Sequence, residues 1–141
     1  MSRITPNPQP AKRHQLVPRG RVLLVDEDPR DLAHYRAILQ EQGYEVWCSS
    51  GFEEAVVCVG REVFDCVFVS QGSRSFEGRT ILERAMEIDR HIPVVVLTRC
   101  LDMGCYLEAM QLGAVDYLEK PLTASQMAWL VETHLRPRTA H

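Results

Sequence analysis

Short apolar runs alternate five times with segments of helical periodicity, and this alternation limits the chain to very few folds. The strands are predicted at residues 22–25, 44–48, 66–69, 94–97 and 115–118. The helices are predicted to begin near Pro29, Phe52, Gly78, Met103 and Thr123. Parallel strands need a crossover connection, and a helix after each strand supplies one. The sequence therefore predicts an α/β domain in which a parallel five-stranded sheet carries helices on both faces.

The first and last helices carry explicit start signals. Asp28 is a preferred cap residue, and Pro29 suits the first helical position because that position needs no amide donor. Thr123 and Gln126 have the spacing of a capping box. The apolar stripe of the last helix is predicted to pack on the core, together with Trp129 beside it. The stripe consists of Met127, Leu130, Val131 and Leu135.

Length and charge bound the domain organisation. The 141 residues, 45% hydrophobic and 25% charged, suit one globular domain, predicted at residues 21–136 with a tail at 137–141. The basic, proline-rich residues 1–20 predict a disordered leader, in which Leu16–Gly20 also resembles a protease site of expression vectors.

After Arg21 the chain has 11 basic and 19 acidic side chains, a net charge of −8. Because no apolar run approaches the ~20 residues of a membrane span, a soluble cytoplasmic protein is expected.

The five cysteines are odd in number and lack the close paired spacing of metal sites. Reduced thiols are therefore expected. Cys48 and Cys66 fall in apolar strands, where cysteine behaves as a small hydrophobic residue. Cys100 and Cys105 fall in a loop and at a helix start, and they are predicted to be exposed.

Four segments in order resemble the receiver domain of two-component response regulators. They are Val22–Pro29, Phe64–Ser70, Val94–Thr98 and Gly113–Pro121, within a similarity that extends over residues 21–135. The resemblance implies the flavodoxin-like (βα)5 fold with strand order 2-1-3-4-5. In that order the ends of strands 1, 3, 4 and 5 meet at one edge of the sheet, where such folds bind ligands. The polar residues at those ends are Asp26, Glu27, Ser70, Thr98 and Lys120.

The same resemblance implies a role for most of these side chains. Receivers accept a phosphoryl group from a histidine kinase on an aspartate, beside a magnesium ion. Asp26 and Glu27 match the acidic pair that holds the ion, and Gly72 completes the magnesium site from the loop after strand 3. Thr98 and Lys120 match the hydroxyl and the ammonium group that meet the phosphate.

Ser70 is the main departure from the family, because the phosphate-accepting aspartate is expected at this position. Gly78 matches the loop glycine that follows the acceptor by eight residues, which places Ser70 in register. Asp65 is not a substitute, since five residues of extended chain put it about 16 Å from the edge. A serine hydroxyl without an adjacent base is a weak nucleophile and adds no charge to a metal site. We therefore expect no aspartyl phosphate, and magnesium binding that is weakened.

Two further positions bear on switching. Tyr117 matches the aromatic side chain that moves between exposed and buried positions in receivers, although sheet-end packing alone would also explain it. Arg99 follows Thr98 where the family has a small residue. Its guanidinium group could neutralise Asp26 or Glu27 as an internal substitute for magnesium, or simply extend into solvent.

These observations favour a degenerate receiver, a signalling module that recognises proteins and has no enzymatic activity. The expected partners are a histidine kinase, an output domain or another signalling protein, with neither nucleic acid nor membrane bound by this domain. A homodimer is expected through the fourth helix, fifth strand and fifth helix, a face that includes Tyr106, Glu108, Gln111, Glu119 and Trp129.

Three alternatives remain open. Phosphate could still act on the receiver through Ser70, or by non-covalent binding at the sheet edge. Ser70 and Lys120 could form a Ser-Lys hydrolase, although no glycine-flanked nucleophile turn surrounds Ser70. A flavodoxin is disfavoured, because the loop after strand 1 is acidic and would repel a flavin phosphate.

Overall fold

The computed structural model describes Ile4 and residues 17–135. Within this part of the chain, strands and helices alternate throughout. The strands are β1 Arg21–Val25, β2 Glu45–Ser49, β3 Cys66–Ser70, β4 Val94–Thr98 and β5 Asp116–Glu119. The helices are α1 Pro29–Glu41, α2 Phe52–Arg61, α3 Arg79–Ile88, α4 Met103–Leu112 and α5 Ala124–His134. Apart from Ile4 and residues 17–20, the predicted leader at 1–20 lies outside the described residues, as does the predicted tail at 137–141.

All strand pairs are parallel, and the sheet order is β2-β1-β3-β4-β5. Val22 lies between Val46 and Cys66 in the register of the first three strands. At the other end of the strands, Ser70 pairs with Leu97. The predicted flavodoxin-like (βα)5 fold is confirmed, including the strand order 2-1-3-4-5.

The core has two layers because successive strand residues point to opposite faces of the sheet. In β1, Leu23 and Val25 join the layer under α2, α3 and α4, whereas Val22 and Leu24 join the layer under α1 and α5. All residues of β3 and β4 are buried, as expected for central strands covered on both faces. The last residues of β3 and β4, Ser70 and Thr98, are therefore held in place by packing on both faces of the sheet.

The predicted helix signals of α1 and α5 are present. The Asp28 carboxylate accepts hydrogen bonds from the backbone N–H of Arg30 at 2.8 Å and of Asp31 at 3.3 Å. Thr123 and Gln126 form the reciprocal capping box. Since these caps satisfy amides that the helix leaves unpaired, they fix where each helix begins.

Two burial predictions were wrong. Trp129 is 60% exposed, because it lies on the outer side of α5 while Met127, Leu130 and Val131 face the core. Cys105 is buried at 5% exposure, because it points inward from α4 on the same face as Ala109.

The cysteines in the described part of the chain are free thiols, as predicted. Burial raises the pKa of Cys66 to about 12, so this thiol stays protonated at neutral pH. No helix among residues 17–135 is long and apolar enough to cross a membrane.

Candidate functional site

A cleft of about 560 Å³ opens at the carboxyl edge of the sheet. Ser70 and Thr98 are the last residues of β3 and β4, while Asp26 and Lys120 directly follow β1 and β5. Parallel strands bring these ends to one edge of the sheet. The residues that line the cleft are Glu27, Asp28, Pro29, Arg30, Ser70, Gly72, Arg99 and Lys120.

Lys120 lies at the base of the cleft and pairs with two carboxylates. Its Nζ is 2.8 Å from Asp26 Oδ2 and 3.1 Å from Asp31 Oδ2. The side chains of Lys120 and Asp26 are only 3% and 1% exposed, so this contact is shielded from water and salt. Burial opposes the charge on Lys120, but Asp26 and Asp31 outweigh it and raise the pKa of the ammonium group above its usual value.

Asp26 is held from both sides. Its Oδ2 accepts from Lys120, and its Oδ1 accepts the backbone N–H of Asp28 at 2.9 Å. Burial raises the pKa of the Asp26 carboxyl group, and these two hydrogen bonds oppose the rise. Both carboxylate oxygens are therefore already engaged within the protein.

Arg99 binds Asp31 rather than the acidic pair. The distance from Arg99 Nη2 to Asp31 Oδ1 is 2.5 Å, and Asp28 Oδ2 lies 3.7 Å away. Arg99 therefore follows neither of the two courses that the sequence left open: its guanidinium group binds Asp31 instead of Asp26 or Glu27, while its side chain is still 58% exposed. The reason is geometric: Asp31, one turn into α1, reaches back to the loop after β4.

Asp31 is a member of the charged contacts at the cleft that sequence reasoning missed. It bridges Lys120 and Arg99, and it is only 8% exposed. The sequence contained a signal, because Asp31 stands four residues before Tyr35 and eight before Leu39, on the face of α1 that is buried. An acid on a buried helical face requires a cationic partner.

These residues fit a magnesium ion poorly. Both oxygens of Asp26 are engaged, position 70 offers a hydroxyl, and Glu27 is exposed at the mouth of the cleft. The lining of the cleft holds more cations than acids: three cationic side chains stand beside two acidic ones. They are Arg30, Arg99 and Lys120, with Glu27 and Asp28.

Ser70 is 3% exposed, and its Oγ accepts the backbone N–H of Gly72 at 3.3 Å. Gly78 packs directly behind it, since a Cβ at this position would overlap the Ser70 carbonyl oxygen. The backbone N–H of Gly78 donates to Gln71 O at 3.1 Å. The loop between β3 and α3 thus folds tightly over Ser70, which explains why a glycine is required there.

Thr98 and Tyr117 face the loop after β4. Thr98 Oγ1 donates to Cys100 O at 3.0 Å and accepts the backbone N–H of Cys100 at 3.1 Å. Tyr117 is 6% exposed; its hydroxyl donates to Gln71 Oε1 and accepts the backbone N–H of Asp102 at 3.1 Å. Tyr117 is therefore buried, and it connects the loops that follow β3 and β4.

Asp65 lies at the opposite edge of the sheet, as predicted. Its Oδ2 accepts the backbone N–H of Arg21 at 2.8 Å, where β1 begins. This acid helps to fix the start of the sheet and takes no part in the cleft.

Comparison with known proteins agrees with the fold. Residues 22–132 match the response regulator receiver domain. The chain belongs to this family. This receiver domain is 32% identical over 120 residues to the alginate biosynthesis transcriptional regulatory protein AlgB of Pseudomonas aeruginosa, covering 85% of this chain and 27% of AlgB.

Two further relatives place the receiver domain in different protein contexts. It is 34% identical over 116 residues to the sensor protein GacS of Pseudomonas syringae pv. syringae, covering 79% of this chain and 13% of GacS. A response regulator receiver domain from Clostridium thermocellum superposes with a TM-score of 0.74 at 26% identity, covering 81% of this chain and 92% of that one. The receiver domain thus spans about a quarter or less of the curated relatives AlgB and GacS.

Proposed function

We propose that this receiver domain transmits signals through protein contacts without forming an aspartyl phosphate. The observation that carries the proposal is the side chain at the end of β3. Ser70 lines the cleft together with Lys120, so a hydroxyl group stands where phosphoryl transfer would need a carboxylate. A phosphoserine ester would also lack the easily hydrolysed bond of an acyl phosphate, on which reversible signalling depends.

The cations of the cleft support the same proposal. Lys120 is engaged by Asp26 and Asp31, and Arg99 is engaged by Asp31, so both positive charges are already balanced. An incoming phosphate would have to displace these carboxylates. We propose in addition that magnesium binds weakly, because the donor set fits the ion poorly.

A receiver that still responds to phosphate, through Ser70 or by non-covalent binding in the cleft, is the second candidate function. The presence of Ser70 in the lining of the cleft favours it. Catalysis by a Ser-Lys pair is disfavoured. The two neighbouring carboxylates raise the pKa of Lys120, which therefore stays protonated and cannot take a proton from Ser70. We propose that the domain has no enzymatic activity of its own.

Mass spectrometry of the intact chain tests the proposal. The protein is incubated with acetyl phosphate and Mg²⁺, and Ser70→Ala, which removes only the hydroxyl oxygen, serves as the matched control. We expect no phosphoryl adduct on either protein. A wild-type adduct that survives mild alkali and is absent from Ser70→Ala would identify phosphoserine. An alkali-labile adduct on both would identify a carboxylate acceptor. The carboxylate adduct would contradict the proposal, and the phosphoserine adduct would replace it by the second candidate function.

We further propose a protein partner and a cytoplasmic location, as the family implies. AlgB is named a transcriptional regulatory protein and GacS a sensor protein, so an output domain and a histidine kinase are the partner classes to test. The homodimer expected through α4, β5 and α5 would use Tyr106 and Trp129, which are 41% and 60% exposed. Sedimentation of Tyr106→Ala beside the parent chain tests that interface, and identical behaviour of the two would argue against it.

A further inference from the structure

We infer that Asp31 is a positioning residue that takes over the charge-balancing part of the missing strand-3 carboxylate. With Asp26, Arg99 and Lys120 it forms a four-charge cluster that holds Lys120 and the loop after β4 in one arrangement. The inference rests on the proposed function and deepens it. It states what keeps the site in a single state when no phosphoryl group arrives.

The first support is the cost of placing Asp31 where it is. The residue lies on the core-facing side of α1 with Tyr35 and Leu39, and it is 8% exposed. A buried carboxylate is strongly unfavourable unless cations and hydrogen bonds compensate it. Asp31 has both compensations, because Lys120 and Arg99 bind its two different oxygens.

The second support is charge balance. Two carboxylates, Asp26 and Asp31, bind two cations, Lys120 and Arg99, at 3.1 Å or less, so these closest contacts are balanced with a serine at position 70. Asp28, the cap of α1, lies farther from Arg99 at 3.7 Å. No metal ion is needed to balance the closest contacts. Ser70 requires no charged partner, and its hydroxyl accepts a backbone N–H of its own loop.

The third support is what the cluster connects. Asp31 belongs to α1, Arg99 to the loop after β4, and Lys120 to the end of β5. The same loop is held on its other side by hydroxyl groups, since Thr98 accepts the N–H of Cys100 and Tyr117 accepts the N–H of Asp102. Arg99 therefore adds a charged contact to helix α1 that hydroxyl bonds cannot provide.

A consequence follows for an acid at position 70. The Ser70→Asp side chain would meet Lys120 only in competition with Asp26 and Asp31. An anionic phosphoryl analogue would compete with Asp31 for Lys120 as well, and the Asp31 charge would repel it. Restoring the acceptor alone should therefore restore little response, whereas removing the Asp31 charge at the same time should restore much more.

The experiment uses the full chain and two readouts. Asp31→Asn keeps the side-chain shape and removes the charge, and Glu53→Gln is the matched control, because Glu53 is also an acid in the first turn of a helix but is exposed. Hydrogen exchange is followed at the backbone amides of residues 99–102. Affinity for beryllofluoride with Mg²⁺ is measured in Ser70→Asp with and without Asp31→Asn.

We expect Asp31→Asn to speed amide exchange in residues 99–102 by about tenfold, the effect of losing one charge-assisted contact, with Glu53→Gln unchanged. We expect Ser70→Asp/Asp31→Asn to bind beryllofluoride about tenfold more tightly than Ser70→Asp. If Asp31→Asn fails to fold, Arg99→Gln gives the loop readout instead, because Arg99 is 58% exposed.

Unchanged loop exchange in these variants, or equal beryllofluoride affinity with and without Asp31→Asn, would overturn the inference. A purely structural role for Asp31 would change stability without raising that affinity. Phosphoryl uptake by the wild-type chain would instead contradict the proposed function. The two failures are therefore distinguishable.

Discussion

Similar charged residues lie at the two ends of the parallel strands, the carboxyl edge and the amino edge of the sheet, but their surroundings differ. At the carboxyl edge, Lys120 lies between Asp26 and Asp31 with a side chain that is 3% exposed. At the amino edge, Arg21 lies 3.3 Å from both Glu45 and Glu62, with a side chain that is 29% exposed.

The difference between the two edges is one of burial rather than of chemistry. Exposed ion pairs contribute little, because water and salt screen them and ordering two long side chains has an entropic cost. A buried ion pair adds little to the free energy of unfolding when it is compared with apolar side chains of similar volume. Removing only one partner, however, is strongly destabilising, because it leaves an uncompensated charge in the interior. The carboxyl edge should therefore be far more sensitive to single charge deletions.

The largest expected effect on stability comes from removing the charge of the cation at each edge, Lys120 or Arg21, while keeping its aliphatic stem. Lys120→Met leaves Asp26 and Asp31 without Lys120, and we expect a loss of about 3–5 kcal/mol in the free energy of unfolding. Arg21→Met removes a partly exposed cation that also packs over Trp47, and we expect a loss of about 1 kcal/mol or less. Urea unfolding at neutral pH measures both. Equal losses would remove the distinction between the two edges.

The next effect concerns backbone packing at the same two edges. Gly78→Ala places a methyl group against the Ser70 carbonyl oxygen, and we expect a loss of about 1–3 kcal/mol. Gly60 lies near the end of α2, where an added Cβ meets only the flexible end of Arg84 at 3.3 Å. Gly60→Ala should therefore raise stability by up to about 1 kcal/mol through helix propensity. Thermal unfolding of both variants checks whether the signs are opposite.

The smallest expected effect concerns the loop between β3 and α3, and it tests whether this loop behaves independently of the buried charged cluster at the carboxyl edge. The backbone N–H of Ser73 donates to Glu77 Oε1 at 2.7 Å, and this bond helps to lower the pKa of Glu77 below the ordinary value of 4.5. Its stabilising contribution is therefore present above pH 4.5 and is lost as the pH falls through the lower folded-state value. NMR titration of the Ser73 amide should show a midpoint below 4.5.

Glu77→Gln should abolish that transition while leaving the signals of the buried cluster unchanged. A midpoint at or above the ordinary glutamate value would show that Ser73 does not hold the carboxylate in solution. A shift of Lys120 signals in the same variant would show that the loop and the cluster are one unit.

The fold was predictable because local signals agreed with each other. Asp28 and Pro29 start α1, the Thr123 capping box starts α5, and the apolar runs of β3 and β4 are long enough to be central strands. The polar residues that would meet at the carboxyl edge followed from strand order, because the last residue of each parallel strand is fixed by topology. The roles of Ser70 and its neighbours remain predictions.

The partners of the charged residues were not predictable in the same way. The sequence left Arg99 either near Asp26 or Glu27 or extended into solvent, but its guanidinium group reaches Asp31. Arg99 and Asp31 are 68 residues apart in the sequence. Whether they meet depends on how α1 is oriented against the loop after β4, and the hydrophobic periodicity of the sequence does not specify that orientation. The burial of Trp129 was predicted wrongly for a related reason. A residue next to an apolar stripe faces either the core or solvent, depending on how the helix is rotated about its axis, and Trp129 faces solvent.

The distances along the chain between these charges also bear on how the domain is assembled. Asp26 and Lys120 are 94 residues apart, so their contact needs most of the domain to be in place. A growing polypeptide that stops short of Lys120 still has Arg99 to pair with Asp31, but it lacks the ammonium group that pairs with the buried Asp26. The first and last βα units must therefore complete their folding together, and truncation within the fifth strand should leave the N-terminal unit incomplete as well.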